Sequence, residues 1–293
     1  MSAVTDSPLA IEVRGLVKRY SSKAAGEKIA VAGIDLDVRL GEIFALLGPN
    51  GAGKTTTVEI LEGYRNRDGG SVKVLGSDPG NLGTGAAIWR DRIGIVLQST
   101  KDAEDLSVAE VVHHFANYYT NAKNADQVID AVGLTEKASE RIETLSGGQR
   151  RRLDVALGII GNPEILFLDE PTTGFDPEAR RAFWDLIRNL RTQGTTILLT
   201  THYLDEAEAL ADRVGVIVDG KIIEVSTPSN LGGRNNAKAR ISWLENGVTA
   251  ELLTDNPTKE ISVIAQRFTG EIPELAVHRP TLEDIYLEMI GGK

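Results

Sequence analysis

The 293-residue chain carries 32 basic and 42 acidic residues, a formal net charge of −10, and no cysteine. That composition excludes disulfides, thiolate metal sites and cysteine nucleophiles. It also disfavours a nucleic acid partner, or an anionic membrane surface bound by charge alone.

In chain order, Met-Ser-Ala-Val-Thr-Asp-Ser-Pro opens the sequence with neither the basic nor the apolar region of a leader. No apolar run approaches the roughly 18–20 residues that span a bilayer. Ile11 and Val13 belong to a strand over residues 11–20, and the small polar residues 21–28 read as a loop. Ile34, Leu36, Val38 and Leu40 alternate with polar positions, as in a half-exposed antiparallel strand. After Gly41 and Glu42, Ile43–Leu47 is wholly apolar and predicts a buried strand.

Gly48-Pro49-Asn50-Gly51-Ala52-Gly53-Lys54-Thr55-Thr56 follows, and then a helical pattern over 57–61. This is G-x-x-x-x-G-K-[ST] between a strand and a helix, the setting in which such a loop binds phosphates. Its glycines let backbone N–H groups turn inward, and the helix start adds donors and partial positive charge. Lys54 is placed to reach the β- and γ-phosphates, and the Thr55 hydroxyl to ligate Mg²⁺. The expected ligands are a nucleoside triphosphate, read as ATP, and Mg²⁺.

Short apolar strands come next at 71–74 and 93–97, joined by a glycine- and proline-containing connection over 76–90. From about residue 101 to 160 the pattern turns helical, with Ser107 and Glu110 as a capping box. Leu145-Ser146-Gly147-Gly148-Gln149 opens a further helix, capped by Ser146 and Gln149. Two glycines are poor helix formers, but they leave the first amides open to a ligand. Ile-Leu-Phe-Leu-Asp-Glu over 165–170 is an apolar strand ending in two carboxylates. Asp169 is suited to Mg²⁺, directly or through water, and Glu170 to orienting or deprotonating an attacking water. A helix over 177–190 and a strand over 195–200 follow, then strands at 214–218 and 222–225 around the hairpin signal Asp219-Gly220.

The pattern predicts an α/β fold, a P-loop NTPase with an antiparallel β subdomain and a helical insertion. Residues 228–234 read as a boundary. Beyond them, 241–245 and 248–252 bracket the hairpin signal Asn246-Gly247, Ile261 to Phe268 mark a helix, and Thr281 caps a last one. The expected organisation is an ATP-binding domain over 10–227, with its helical subdomain at about 101–160, and a small C-terminal α+β accessory region over 235–293.

These motifs together resemble the nucleotide-binding subunits of ATP-binding cassette (ABC) transporters. The phosphate loop, Gln98, the signature Leu145 to Gln149, the strand ending in Glu170, and His202 stand in the family's order over most of residues 10–226. The resemblance implies that Tyr20 stacks on adenine and that Gln98 contacts Mg²⁺ and senses the γ-phosphate. It implies that His202 bonds the γ-phosphate and organises Glu170. It places Asp176 in a dimer-contact loop, where Phe175 stands in place of the leucine of many members. Two copies would bind ATP head-to-tail, each signature serving the opposite copy's nucleotide. His113, His114 and His278 read as structural, and Arg150-Arg151-Arg152 as a solvated helix face.

The stretch from Thr201 to Arg213 is similar to exporters paired with ABC-2 type permeases, and Arg279 to Tyr286 to the end of daunorubicin-resistance ATP-binding subunits. The implied protein is an ATPase driving export of a drug, lipid or polymer through a separate polytopic ABC-2 permease. It would sit at the cytoplasmic face of the plasma membrane, held by that permease and paired with a second nucleotide-binding subunit. An import or lipid-trafficking cassette, or a soluble cassette ATPase, is the alternative reading.

Overall fold

The computed structural model describes residues 8–22, 26–96 and 105–291. The chain forms two compact units, residues 1–225 and 226–293.

The first unit is built on a six-stranded sheet with the order β5-β6-β7-β3-β8-β9. Its strands are β3 (Ile43–Leu47), β5 (Ile93–Val96), β6 (Ile165–Asp169), β7 (Thr196–Thr201), β8 (Arg213–Val218) and β9 (Lys221–Ser226). β5, β6, β7, β3 and β8 pair in parallel. β3 is buried at every residue, which accounts for its unbroken apolar run. Leu47 pairs with Thr201, and Asp169 with Thr200. The carboxyl ends of β3, β6 and β7 therefore finish at one edge, where ligand crevices form in such sheets.

A second, antiparallel sheet has the order β2-β1-β4, from β1 (Leu9–Ser22), β2 (Gly26–Arg39) and β4 (Gly69–Val74). Its apolar residues join those of β3 and the helix α1 (Lys54–Leu61) in one core. Residues 21–28 do not form the expected loop. Tyr20 pairs with Lys28 and Ser21 with Glu27, so the ribbon extends to Ser22 and resumes at Gly26. Backbone pairing across the hairpin carries the strands through polar sequence that has no apolar period.

The connection after β4 contains the helix α2 (Ala86–Arg90), anchored by the buried Trp89, whose indole N–H donates to Val74 O at 3.0 Å. The helical insertion holds α3 (Val108–Ala116), α4 (Ala125–Ala131) and α5 (Gly147–Ile159). Both predicted capping boxes form, Ser107 with Glu110 and Ser146 with Gln149. Helices α6 (Pro177–Thr192) and α7 (Leu204–Leu210) complete the unit. The turn between β8 and β9 has Asp219 at φ 49° and Gly220 at φ 75°, as a two-residue hairpin loop demands.

The second unit has a three-stranded antiparallel sheet, β11-β10-β12, from β10 (Ala239–Glu245), β11 (Val248–Thr254) and β12 (Ala276–His278). Ile241 and Trp243 of β10 pack with Ile264 of α8 (Pro257–Ala265) and with Ile272. In α9 (Leu282–Gly291), Thr281 Oγ1 accepts from Asp284 N at 3.1 Å, as the cap predicts. The three histidines away from the phosphate loop pair locally. His113 meets Asp126 at 3.0 Å, His114 meets Tyr118 at 2.8 Å and His278 meets Asp284 at 2.9 Å.

α5 lies on β5 through glycine. A Cβ on Gly94 would meet Gly158 O at 2.1 Å, and one on Gly158 would meet Val96 Cγ2 at 2.7 Å. Backbone faces the first contact, so it cannot yield. Gly94→Ala should lower the urea midpoint of unfolding, through a loss of about 1–3 kcal/mol of stability as overpacking causes. An unchanged midpoint would show that α5 can shift off the strand.

Candidate nucleotide site

The phosphate loop leaves β3 and enters α1, with Gly48 N donating to Thr201 O at 3.3 Å. Two of its glycines are required by contact. A Cβ at Gly48 would meet Ile217 O at 2.2 Å, and one at Gly53 would meet Ala30 O at 2.3 Å, with Gly53 at φ 105°. Lys54 is buried, and its ammonium donates to Gly48 O at 2.8 Å and Pro49 O at 3.2 Å, bent back over the loop it follows. It lies 3.4 Å from Glu170 Oε1.

The two carboxylates at the end of β6 face this loop. Thr55 Oγ1 is 3.1 Å from Asp169 Oδ2. Thr200, the β7 neighbour of Asp169, donates its hydroxyl to Asp169 Oδ1 at 2.5 Å. The same hydroxyl accepts from Glu170 N at 3.0 Å. Glu170 adopts φ 45°, the left-handed region that side-chain-bearing residues seldom enter. The bonds of its N–H to Thr200 hold that turn, and the turn directs the carboxyl toward Lys54 and His202. His202 Nδ1 stands 3.4 Å from Glu170 Oε1, and its ring stacks at 4.1 Å on Tyr203.

A crevice of 380 Å³ opens over the loop, lined among others by Tyr20, Lys28, Ala30, Asn50, Thr56 and Glu170. Tyr20 Oη lies 3.4 Å from Thr56 Oγ1, and the Arg65 guanidinium sits 5.4 Å from the tyrosine ring centre. Lys28 and Ala30 reach the crevice from the antiparallel sheet, and no sequence motif marks them. Thr55 and Asp169 offer hard oxygen donors side by side, the set that suits Mg²⁺. Among the described residues no cluster of three or more acidic or histidine side chains could hold a metal unaided. Gln98 lies outside the described residues.

The signature stands at the start of α5. Ser146 Oγ accepts from Gln149 N at 3.3 Å, and Gln149 Oε1 accepts from Ser146 N at 2.9 Å. Gly147 has nothing within 4 Å of a Cβ position, and Gly148 has only the Ala179 Cβ at 3.4 Å. The chain's own packing does not require glycine at either place. Leu145 is half-buried beside them. Asp176 caps α6, its Oδ1 accepting from Ala179 N at 2.8 Å and Glu178 N at 3.0 Å.

The arginine run corrects the sequence reading. Arg151 is buried, donating Nε to Pro171 O and Nη2 to Asp169 O, each at 3.0 Å. Successive helix residues point about 100° apart, so three adjacent arginines cannot share one solvated face.

The family model described as ABC transporter matches residues 31–173. The daunorubicin/doxorubicin resistance ATP-binding protein DrrA of Streptomyces peucetius is 35% identical, over 98% of this chain and 94% of that protein. This chain belongs to the ABC transporter family. Another relative in that family, Nod factor export ATP-binding protein I of Burkholderia orbicola, is 34% identical over 96% of this chain and 97% of its own length. A solved dimer of the ATP-binding cassette MJ0796, in a post-hydrolysis state with ADP and Pi, matches with TM-score 0.67 at 24% identity. It covers 74% of this chain and 98% of that one, and shares the ABC cassette fold.

One buried acid beside the site went unmarked by any motif. Glu62 closes α1, and burial, then Asp169 and Glu59, push its carboxyl up from the ordinary 4.5 to about 8. The folded protein thus holds a proton there that the unfolded chain loses. The stability this contributes is full below about pH 4.5 and is lost as pH rises toward 8. Glu62→Gln should therefore gain stability over the wild type at pH 8 relative to pH 5. Urea titrations of nucleotide- and metal-free protein measure this, and an equal difference at both pH values would contradict it.

Proposed function

We infer that this member of the ABC transporter family is the ATP-hydrolysing subunit of an exporter, working in a head-to-tail pair. The observation that carries the paired site is at the signature. Two glycines begin α5 where nothing among the described residues needs them, so the open amides fit a ligand brought from outside. The relatives named for drug resistance and Nod factor export support an export role.

In this reading the phosphate loop and Lys54 bind the triphosphate, and Tyr20 takes the adenine. Thr55 and Asp169 hold Mg²⁺, with Gln98 expected beside them. Bound there, Mg²⁺ would offset the charge of the phosphate oxygens. Glu170 accepts a proton from the attacking water, and His202, 3.4 Å from that carboxyl, orients it and bonds the γ-phosphate. Ser146, Gly147 and Gly148 of the second copy close over the same nucleotide and exclude water, while Asp176 lies at the dimer contact.

No helix among the described residues is long and apolar enough to cross a membrane. In this reading the transport path is supplied by a partner permease. We place its dock on a groove of 780 Å³ between the sheet and the helical insertion, lined by Tyr64, Phe115, Tyr119 and Leu157 among others. This groove adjoins Val96, the last described residue before the segment containing Gln98. The permease would be of the ABC-2 type and would hold the subunit at the cytoplasmic face of the membrane.

Glu170→Gln should keep ATP binding and lose turnover by about 100-fold or more, the scale of a general base. Sedimentation of that variant with ATP and Mg²⁺ should show a dimer. Near-normal turnover would refute the role of Glu170. Gly148→Asp should also cut turnover while the isolated monomer keeps its ATP affinity, because the added carboxylate faces the other copy's γ-phosphate. Loss of monomer affinity would instead assign the signature to its own chain's site.

A further inference from the structure

Among the described residues, the buried side-chain polar atoms without a formed hydrogen bond are concentrated in one place. They are Thr172 Oγ1, Arg180 Nε, Trp184 Nε1, His202 Nδ1 and both carboxylate oxygens of Glu206. Burying such groups unpaired costs free energy, and native proteins keep few of them. Here they gather between the loop after Glu170, helix α6, and the β7 end that carries His202.

Glu206 is the centre of the group. It stands in the first turn of α7, four residues after His202, with 0% exposure. Thr172 and Thr201, also fully buried, and the Trp184 indole surround the carboxyl. Burial raises its pKa, opposed by the donors of Thr201, Thr172 and Trp184, while Asp205 adds to the rise. The donors thus lie close enough to act on the carboxyl's charge, although none closes to a formed bond. Each comes from a segment with a place in the proposed mechanism. Thr172 belongs to the turn between Glu170 and Asp176. Thr201 precedes His202 and already ties the backbone there, accepting from Tyr203 N at 2.9 Å. Trp184 belongs to α6, which Asp176 caps.

We propose that Glu206 is a positioning residue for ATP hydrolysis, its carboxyl joining the Glu170–Asp176 turn to the strand end that carries His202. The hydrogen bonds from Thr172, Trp184 and Thr201 close when both segments take up their ATP-bound places. Glu206 touches no substrate. It fixes the distance between Glu170 and His202 by holding the segments that carry them. The inference rests on the hydrolytic reading of Glu170 and His202 given above.

The test uses the full chain with Glu206→Ala, Glu206→Gln, Thr172→Val, and the double variant Thr172→Val/Glu206→Ala. Turnover, KM and equilibrium ATP affinity are measured per folded molecule. Glu206→Ala should lower kcat by about 100-fold, the cost of a misplacement near 1 Å, with ATP affinity held within about twofold. Glu206→Gln keeps the shape and one acceptor oxygen and should recover most of that loss. The double variant should be no slower than the slower single one, because both changes break one link.

Three results would overturn the proposal. The first is normal kcat in Glu206→Ala or, where that variant does not fold, in Thr172→Val, which removes one of the same bonds. The second is a loss of ATP affinity equal to the loss in kcat. The third is strict additivity of the double variant. Glu170→Gln runs alongside as the control. If it turns over normally, the hydrolytic reading itself has failed. If it is inactive while the Glu206 variants are normal, only the positioning role has failed.

Discussion

The hydroxyl of Thr200 sets the geometry from which the rest of the nucleotide site follows. It donates to Asp169 and accepts from the N–H of Glu170, so one side chain fixes two consecutive acids in different directions. It can do so because β6 and β7 run parallel with Asp169 and Thr200 in register. A slip of one residue would turn Thr200 to the other face of the sheet and remove both bonds. The left-handed Glu170 would then lose a bond that holds it, and the acid would relax away from Lys54 and His202. The position of the Glu170 carboxyl thus depends on strand pairing that extends through the buried sheet.

The glycines of the chain divide by what makes each necessary. Gly48 and Gly53 are small because the protein's own backbone carbonyls press against them. Gly94 and Gly158 are small so that a helix can lie on a strand. Gly147 and Gly148 have neither reason. A helix that begins with two glycines gives up up to about 1 kcal/mol at each relative to alanine. An open helix start is the return for that cost.

Much of this was legible in the sequence because it is local. A strand, a glycine loop and a helix follow one another along the chain, and so do a capping residue and its partner three positions on. Ile43–Leu47, the loop to Thr56, the Ser146–Gln149 box and the two hairpin turns were found on that basis. What escaped depends on pairing across the fold. The β1–β2 ribbon continues through polar residues because each strand supplies the other's hydrogen bonds. Arg151 reads as surface in a run of three arginines, yet it is buried against the backbone of β6's end. Thr200, Lys28 and Glu62 belong to no motif, Glu206 lies in a stretch that marks the exporter likeness without giving it a role, and the environments of all four come from elements distant in sequence. A buried acid in the first turn of a helix looks the same in sequence as an exposed one.

Arg151 also bears on how two such sites would share information. Its guanidinium grips the carbonyls of Asp169 and Pro171, on either side of Glu170, from one turn inside α5. The free end of α5 is the signature, which in a head-to-tail pair addresses the other subunit's nucleotide. In the proposed pair one helix would thus be tied, one turn from its start, to its own subunit's β6 end, and would present that start to the neighbour's nucleotide. A shift of that strand on loss of phosphate would move the tip as a lever moves, and the neighbour would register it mechanically. In the proposed pair, two sites joined this way would not act as independent engines, and the unit of work would be the pair.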